Sequence, residues 1–151
     1  MGLAGRHVPQ KRYGKAVEVL TQLARDGVDA RLVVVGAAMG GEGERCRAQA
    51  ADLAVRLGVL GRLVLVGPVA DAASLVRACD VFLNTSLWEG VSVAAMEAVA
   101  AGVPVVGSDV GGQREAAGPD ATPQPPDALD ARWAAAVRAA AARGPDRRFA
   151  M

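Results

Sequence analysis

Aromatic residues make up only 3% of the 151 residues, although 52% are hydrophobic. The apolar content is therefore mostly alanine, valine and leucine, which suits helices packed on a buried sheet and excludes a disordered chain. No charge of one sign dominates, since 17 Lys and Arg face 16 Asp and Glu. That balance argues against a general nucleic-acid binder. There are two cysteines, Cys46 and Cys79, without a CxxC pair, and a single histidine, His7. This inventory speaks against a disulfide framework or a zinc site. Both thiols are expected to be free and buried in a reducing compartment. His7 is expected to pack or face solvent rather than act as a ligand or base. No apolar run reaches the ~20 residues that span a bilayer. The stretch from Met1 to Arg6 does not read as a signal peptide, so a cytoplasmic protein is expected.

What is present is an alternation of short β-branched runs and longer helical patterns. Arg31 to Gly36, Arg62 to Gly67, Asp80 to Asn84 and Val103 to Gly107 read as strands. Their near-continuous apolar character suits a parallel sheet covered on both faces. Between them, Ala16, Val19, Leu20 and Leu23 form one helical stripe, and Cys46, Ala50, Leu53 and Leu57 another. Asp71 is placed to cap a short helix through Arg77. The expected fold is α/β, a Rossmann-like parallel sheet with helices on both faces. Residues 1–117 form the expected domain, with Met1 to Ala4 supplying only a stub of a first strand. Residues 118–129 read as a Pro-rich linker. Residues 130–151 read as a helix from about Asp130 to Arg143, stopped by Gly144-Pro145, with a frayed tail. Trp133 and Val137, at i and i+4, suggest that this helix packs.

Ligands of such folds sit outside the carboxyl ends of the strands. Gly36 to Gly41 is not a G-x-G-x-x-G fingerprint and is read as a flexible loop. The informative segment is Asn84-Thr85-Ser86-Leu87-Trp88-Glu89-Gly90-Val91-Ser92-Val93-Ala94-Ala95-Met96-Glu97-Ala98. It follows a strand and enters a helix. Gly90 permits a tight turn, and Ser92 can cap a helix beginning near Val93. The helix end then offers free N–H groups and a positive dipole, a seat for a diphosphate. Glu97 lies about 7 Å along the axis from that seat, close to the span from a diphosphate to a ribose. Two carboxylates beside a phosphate site are suited to sugar hydroxyls. Glu97 also sits between Met96 and Ala98 on an apolar helix, where an acid needs a partner.

Glu89 and Glu97 form an E-x7-E pattern that resembles the motif of retaining GT-B glycosyltransferases, with surroundings similar to family 4. The likeness extends through Ala101-Gly102-Val103-Pro104-Val105-Val106 and Asp109-Val110-Gly111-Gly112. It also takes in Gly5-Arg6-His7-Val8-Pro9-Gln10-Lys11, similar to the family's G-R-x-x-x-x-K segment. It covers about residues 2 to 116. The resemblance implies the C-terminal, donor-binding half of such an enzyme. Glu89 would bind donor-sugar hydroxyls and Glu97 the nucleotide ribose. The backbone amides of Gly90, Val91, Ser92 and Val93 would hold the diphosphate. Arg6 and Lys11 would neutralise it and stabilise the leaving group, and the loop with Pro68 and Val69 would lie beside the base. The implied partner is a nucleotide-diphosphate sugar, used as substrate. No cofactor, metal or nucleic acid is expected, and no D-x-D motif occurs.

The chain departs from the family pattern at particular positions. Glu89-Gly90-Val91-Ser92 stands for the usual E-G-F-G. Ser92 keeps an amide and adds a cap, while its Cβ crowds the phosphate approach. Arg12 stands where glycine usually follows the lysine. The family's N-terminal, acceptor-binding domain is missing, to be supplied in cis or in trans, so the chain alone is expected to be an inactive fragment. Two alternatives stay open: a non-catalytic nucleotide-binding module or subunit, and a GT-B epimerase-like or phosphorylase-like relative.

Overall fold

The computed structural model describes residues 1–118 and 120–144. Six parallel strands stand in the order β3-β2-β1-β4-β5-β6. They are β1 (Gly2–Ala4), β2 (Leu32–Val35), β3 (Leu63–Val66), β4 (Phe82–Asn84), β5 (Val105–Ser108) and β6 (Thr122–Gln124). The helices are α1 (Tyr13–Arg25), α2 (Gly40–Arg56), α3 (Ala72–Arg77), α4 (Val93–Ala100), α5 (Gln113–Ala116) and α6 (Asp130–Arg143). This is the doubly wound α/β architecture that the alternating pattern predicts.

The short β1 is nonetheless central. Gly2 pairs with Val33 of β2 on one side and with Phe82 of β4 on the other. The strand order reverses between β1 and β4, so the crevice at their carboxyl ends is the topological switch point. Strand β4 is buried throughout, whereas the edge strand β3 is only partly covered and Val64 is exposed. An apolar run alone does not separate an edge strand from an inner one, because the difference lies in its neighbours.

Ala16, Val19, Leu20 and Leu23 of α1 are all fully buried and share one core with Leu32, Val34, Trp133 and Val137. In α2 the buried line runs through Gly43, Ala50 and Ala54, with Cys46, Leu53 and Leu57 beside it and only partly covered. Gly40 and Gly41, read above as loop, form the first turn of this helix. Asp71 does cap α3, accepting from the backbone N of Ser74 at 2.9 Å.

Two expectations need correction. The segment 118–129 is more than a linker, because Thr122 to Gln124 pair with Val106 to Ser108 and extend the sheet. The prolines are tolerable there because β6 is an edge strand. Helix α6 then packs on α1, burying Trp133 completely, so it belongs to the same core as the preceding residues. Lys15 of α1 fixes its start, donating to the Ala128 carbonyl at 2.8 Å and to Asp130 at 2.5 Å. The second correction concerns the thiols: Cys46 and Cys79 are free, but only partly buried. Burial is still the first cause raising both thiol pKa values. The tail expected to fray lies outside the described residues.

Candidate functional site

The loop after β4 and the segment after β1 meet at the switch point. A dense set of hydrogen bonds joins them. Leu87 N donates to the Gln10 carbonyl at 2.8 Å, and Gln10 Nε2 donates back to the Trp88 carbonyl at 2.6 Å. The buried Thr85 hydroxyl reaches the carbonyls of Lys11 and Arg12 at 2.8 and 3.1 Å. Arg12 takes a left-handed conformation, with φ of 50°. That backbone requirement accounts for the glycine usual at this place in the resembling family. Here the Arg12 guanidinium is held by the Pro126 carbonyl at 2.7 Å.

Ser92 caps α4, accepting from the backbone N of Ala95 at 3.3 Å. Both Glu89 and Glu97 face the cleft in front of this helix end, whose volume is about 400 Å³. Arg6, Lys11, Val91, Ser92 and Val93 line the same cleft. Seven of the ten residues singled out by sequence therefore converge. Gly90 lies in the intervening turn. Pro68 and Val69 are exposed beyond the end of β3 and do not line the cleft, which that connection reaches only at Ala72.

Lys11 and Glu89 form an ion pair at 2.5 Å, with the two side chains 18% and 7% exposed. Ser86 also donates to the same Oε1 of Glu89, at 2.6 Å. Oε2 takes part in neither bond. Burial raises the Glu89 pKa, but the bonds from Lys11 and Ser86, the Lys11 charge and the Asn84 amide outweigh it and hold the group below its ordinary value. The carboxylate is thus charged at neutral pH and fixed in orientation. Sequence reasoning assigned Lys11 and Glu89 separate tasks; the structure joins them.

Glu97 differs from its expected setting. It is exposed on the cleft wall, and no ion pair among the described residues involves Glu97 or Arg6. One face of α4 looks outward, so the apolar neighbours in sequence do not enclose the acid. Val91 and Val93 on the same cleft wall are exposed at 62% and 66%, and Trp88 in the preceding loop at 59%. This apolar rim escaped the sequence reading because valines inside a hydrophobic run look like core. His7 is buried at 1% exposure, packed 4.6 Å from the Tyr13 ring. Burial, and then the Arg47 charge, lower its pKa. Its expected packing role stands.

The sequence also gave no hint of the support behind the loop. Asn84 Nδ2 donates to Ser92 Oγ at 3.2 Å and to Gln113 Oε1 at 3.0 Å. The Asp109 to Gln113 turn lies against the loop, with Gly112 N bonded to the Gly90 carbonyl at 3.0 Å. Behind this turn a separate cavity of about 580 Å³ opens beside Ser108, Gln113 and Arg114. Arg114 is spent there on Asp109, at 2.6 Å. The chemistry of the molecule's charged groups is concentrated instead at the switch point, where cations, carboxylates and a capped helix end share one cleft.

Comparison with known proteins gives the family and the fold of the chain. The model of a family described as glycosyl transferases group 1 matches residues 1–142. A D-inositol 3-phosphate glycosyltransferase of Stackebrandtia nassauensis is 36% identical over 118 residues, covering 74% of this chain and 26% of the relative. A lipopolysaccharide core biosynthesis mannosyltransferase of Rhizobium meliloti is 32% identical over 111 residues, covering 74% of this chain and 31% of the relative. The chain thus spans about a quarter to a third of these relatives' length. Among solved structures, Anabaena HepE in complex with UDP and glucose superposes with a TM-score of 0.79 and 25% identity. That match covers 91% of this chain and 37% of HepE.

Proposed function

The chain belongs to the group 1 glycosyl transferases, and on that premise we propose that it is the donor-binding half of a retaining, metal-independent glycosyltransferase of GT-B, family 4-like type. The observation that carries this reading is the convergence of Arg6, Lys11, Glu89, Ser92 and Glu97 on one cleft at the switch point. The ligand is a nucleotide-diphosphate sugar, in keeping with the UDP and glucose of the Anabaena relative.

In this reading the diphosphate lies at the start of α4, on the amides from Gly90 to Val93. Arg6 and Lys11 supply positive charge, and Lys11 also orients Glu89. The Glu89 carboxylate accepts from donor-sugar hydroxyls, and Glu97, about one turn into α4, accepts from the ribose. Pro68 and Val69 flank the base. In a retaining transfer the departing phosphate oxygen takes the acceptor proton, the acceptor oxygen bonds to the anomeric carbon on the same face, and the sugar–phosphate bond breaks. The protein's main contribution is then fixed positive charge facing the charge that develops on the diphosphate. The apolar rim of Trp88, Val91 and Val93 suits coverage by an acceptor-binding domain, in cis or in trans. A reducing compartment such as the cytoplasm suits the two free thiols.

Calorimetry with UDP, GDP and ADP tests the donor site. At least one should bind the folded chain, with the same affinity in the presence of a chelator, because cations and the helix end replace a metal. No heat at millimolar ligand would sink the reading, and binding that vanishes with chelator would remove its metal independence.

The two carboxylates separate by substrate. Glu97→Ala should weaken nucleoside-diphosphate binding by about 1–3 kcal/mol, the scale of a hydrogen bond to a charged group. Glu89→Ala should leave that binding nearly unchanged and weaken only the nucleotide sugar. Isotherms for both ligands with both variants decide it, and the reverse pattern would mean the roles are exchanged.

A further inference from the structure

Ser92 replaces the glycine of the resembling motif, and its side chain sits in a hydrogen-bond network whose direction is fixed throughout. The backbone N of Ser86 can only donate, and it donates to Asn84 Oδ1 at 3.0 Å. The Asn84 amide is thereby oriented, with Nδ2 turned toward Gln113 Oε1 and Ser92 Oγ. The backbone N of Ala95 can likewise only donate, and it too donates to Ser92 Oγ. A serine hydroxyl has two acceptor positions and one hydrogen. Asn84 and Ala95 occupy both acceptor positions, so the hydroxyl can engage a ligand only by donating. Ser92 is 4% exposed and lines the cleft together with Arg6, Lys11 and Glu97. No described residue accepts its hydrogen.

We propose that the Ser92 hydroxyl is a dedicated hydrogen-bond donor to a phosphate oxygen of the bound nucleoside diphosphate, with Asn84 and Gln113 as the positioning residues that hold it in that role. The proposal rests on the donor-site reading above and adds a side-chain contact that a glycine cannot make. An anionic oxygen is the matching ligand chemistry, because it accepts and never donates. Gln113 Oε1 takes the second Asn84 hydrogen. The serine Cβ, which narrows the approach to the helix end, comes with a contact in exchange.

The cap and the ligand contact can be separated, because glycine is itself a fair N-cap and costs the helix only a few tenths of a kcal/mol. Ser92→Gly is expected to weaken UDP, GDP or ADP, whichever the parent chain binds, by about tenfold, the scale of a charged hydrogen bond. The corresponding nucleoside should bind as before. Ser92→Thr keeps the hydroxyl and should restore most of the affinity. Asn84→Asp replaces the donor facing Ser92 by an acceptor, turning the serine hydrogen away from the ligand. In that background Ser92→Gly should cause no further loss. A merely structural role for Ser92 would leave the two effects additive. Equal or tighter diphosphate binding by Ser92→Gly, while Glu97→Ala still weakens it, would overturn the Ser92 contact and leave the donor site standing. If the folded parent chain binds none of the three diphosphates, both fall together.

Discussion

Gly111→Ala is expected to destabilise the fold by about 2–4 kcal/mol and to weaken nucleoside-diphosphate binding with it. Two costs combine at this position. Gly111 has φ of 49°, in the left-handed region, and a Cβ there would lie 1.9 Å from the Glu89 carbonyl oxygen. Such an overlap with backbone cannot be relieved by a rotamer, so the Asp109 to Gln113 turn and the Glu89–Gly90 loop must separate. Two neighbouring measurements divide the costs. Gly27→Ala meets only the backbone penalty, since φ is 78° and nothing lies within 4 Å. Gly112→Ala meets only the overlap, since φ is −78° and its Cβ would lie 2.2 Å from the Gly90 carbonyl oxygen. Urea unfolding and nucleotide isotherms of the three variants should show Gly27→Ala mildly destabilised with binding intact. Gly112→Ala should lose binding, and Gly111→Ala should be the worst in both. If Gly111→Ala were as mild as Gly27→Ala, the turn would not be what supports the donor loop.

That dependence was hidden in the sequence for a physical reason. Gly111 and Glu89 are 22 positions apart, and nothing in a periodicity links them. Local features were legible because their causes are local. Ser92 and Asp71 cap the helices that follow them, the α1 stripe is buried, and the alternation of apolar runs with amphipathic ones fixed a parallel sheet. The end of α6 could be placed because Gly144 stops a helix whatever surrounds it. Non-local features were not legible. Residues 122–124 carry Pro123, with Pro125 and Pro126 just beyond, and read as linker, yet an edge position beside β5 makes a strand of them. Val64 reads as inner core, yet β3 has no outer neighbour. Lys11 and Glu89 each suggested a ligand contact, and only the pairing of β1 with β4 reveals that they contact each other. The Asn84–Gln113–Ser92 network joins the end of β4, the start of α5 and the cap of α4, and amides of this kind have no sequence signature. The E-x7-E spacing was informative because it sets two acids along one loop and one helix, which is again a local relation.

The other large effect concerns the transfer itself. The 151 residues by themselves should show negligible sugar transfer from UDP-, GDP- or ADP-sugars, even while binding the nucleotide. Holding donor and acceptor together in attack geometry can supply about 7–11 kcal/mol of barrier reduction, and in the reading proposed above the cleft at the switch point supplies groups for the donor. Arg6 and Glu97 face open solvent there, so water screens charges that would act far more strongly in a closed site. The apolar side chains of Val91 and Val93 stand uncovered on the wall of the same opening, and that of Trp88 in the loop before it. An acceptor-binding domain seated on that rim would exclude water, strengthen Arg6 and Lys11 toward the diphosphate, and bring the acceptor hydroxyl to the anomeric carbon. Adding such a domain from a group 1 relative, fused or separate, should therefore restore transfer with retention of anomeric configuration. The measurement is nucleotide release and product formation over a panel of donors and acceptors, with the product's anomeric configuration read by NMR. Vigorous transfer by the 151 residues alone would place an acceptor site within them. Restored transfer with inversion would remove the same-face mechanism and leave the donor site to be explained by another chemistry.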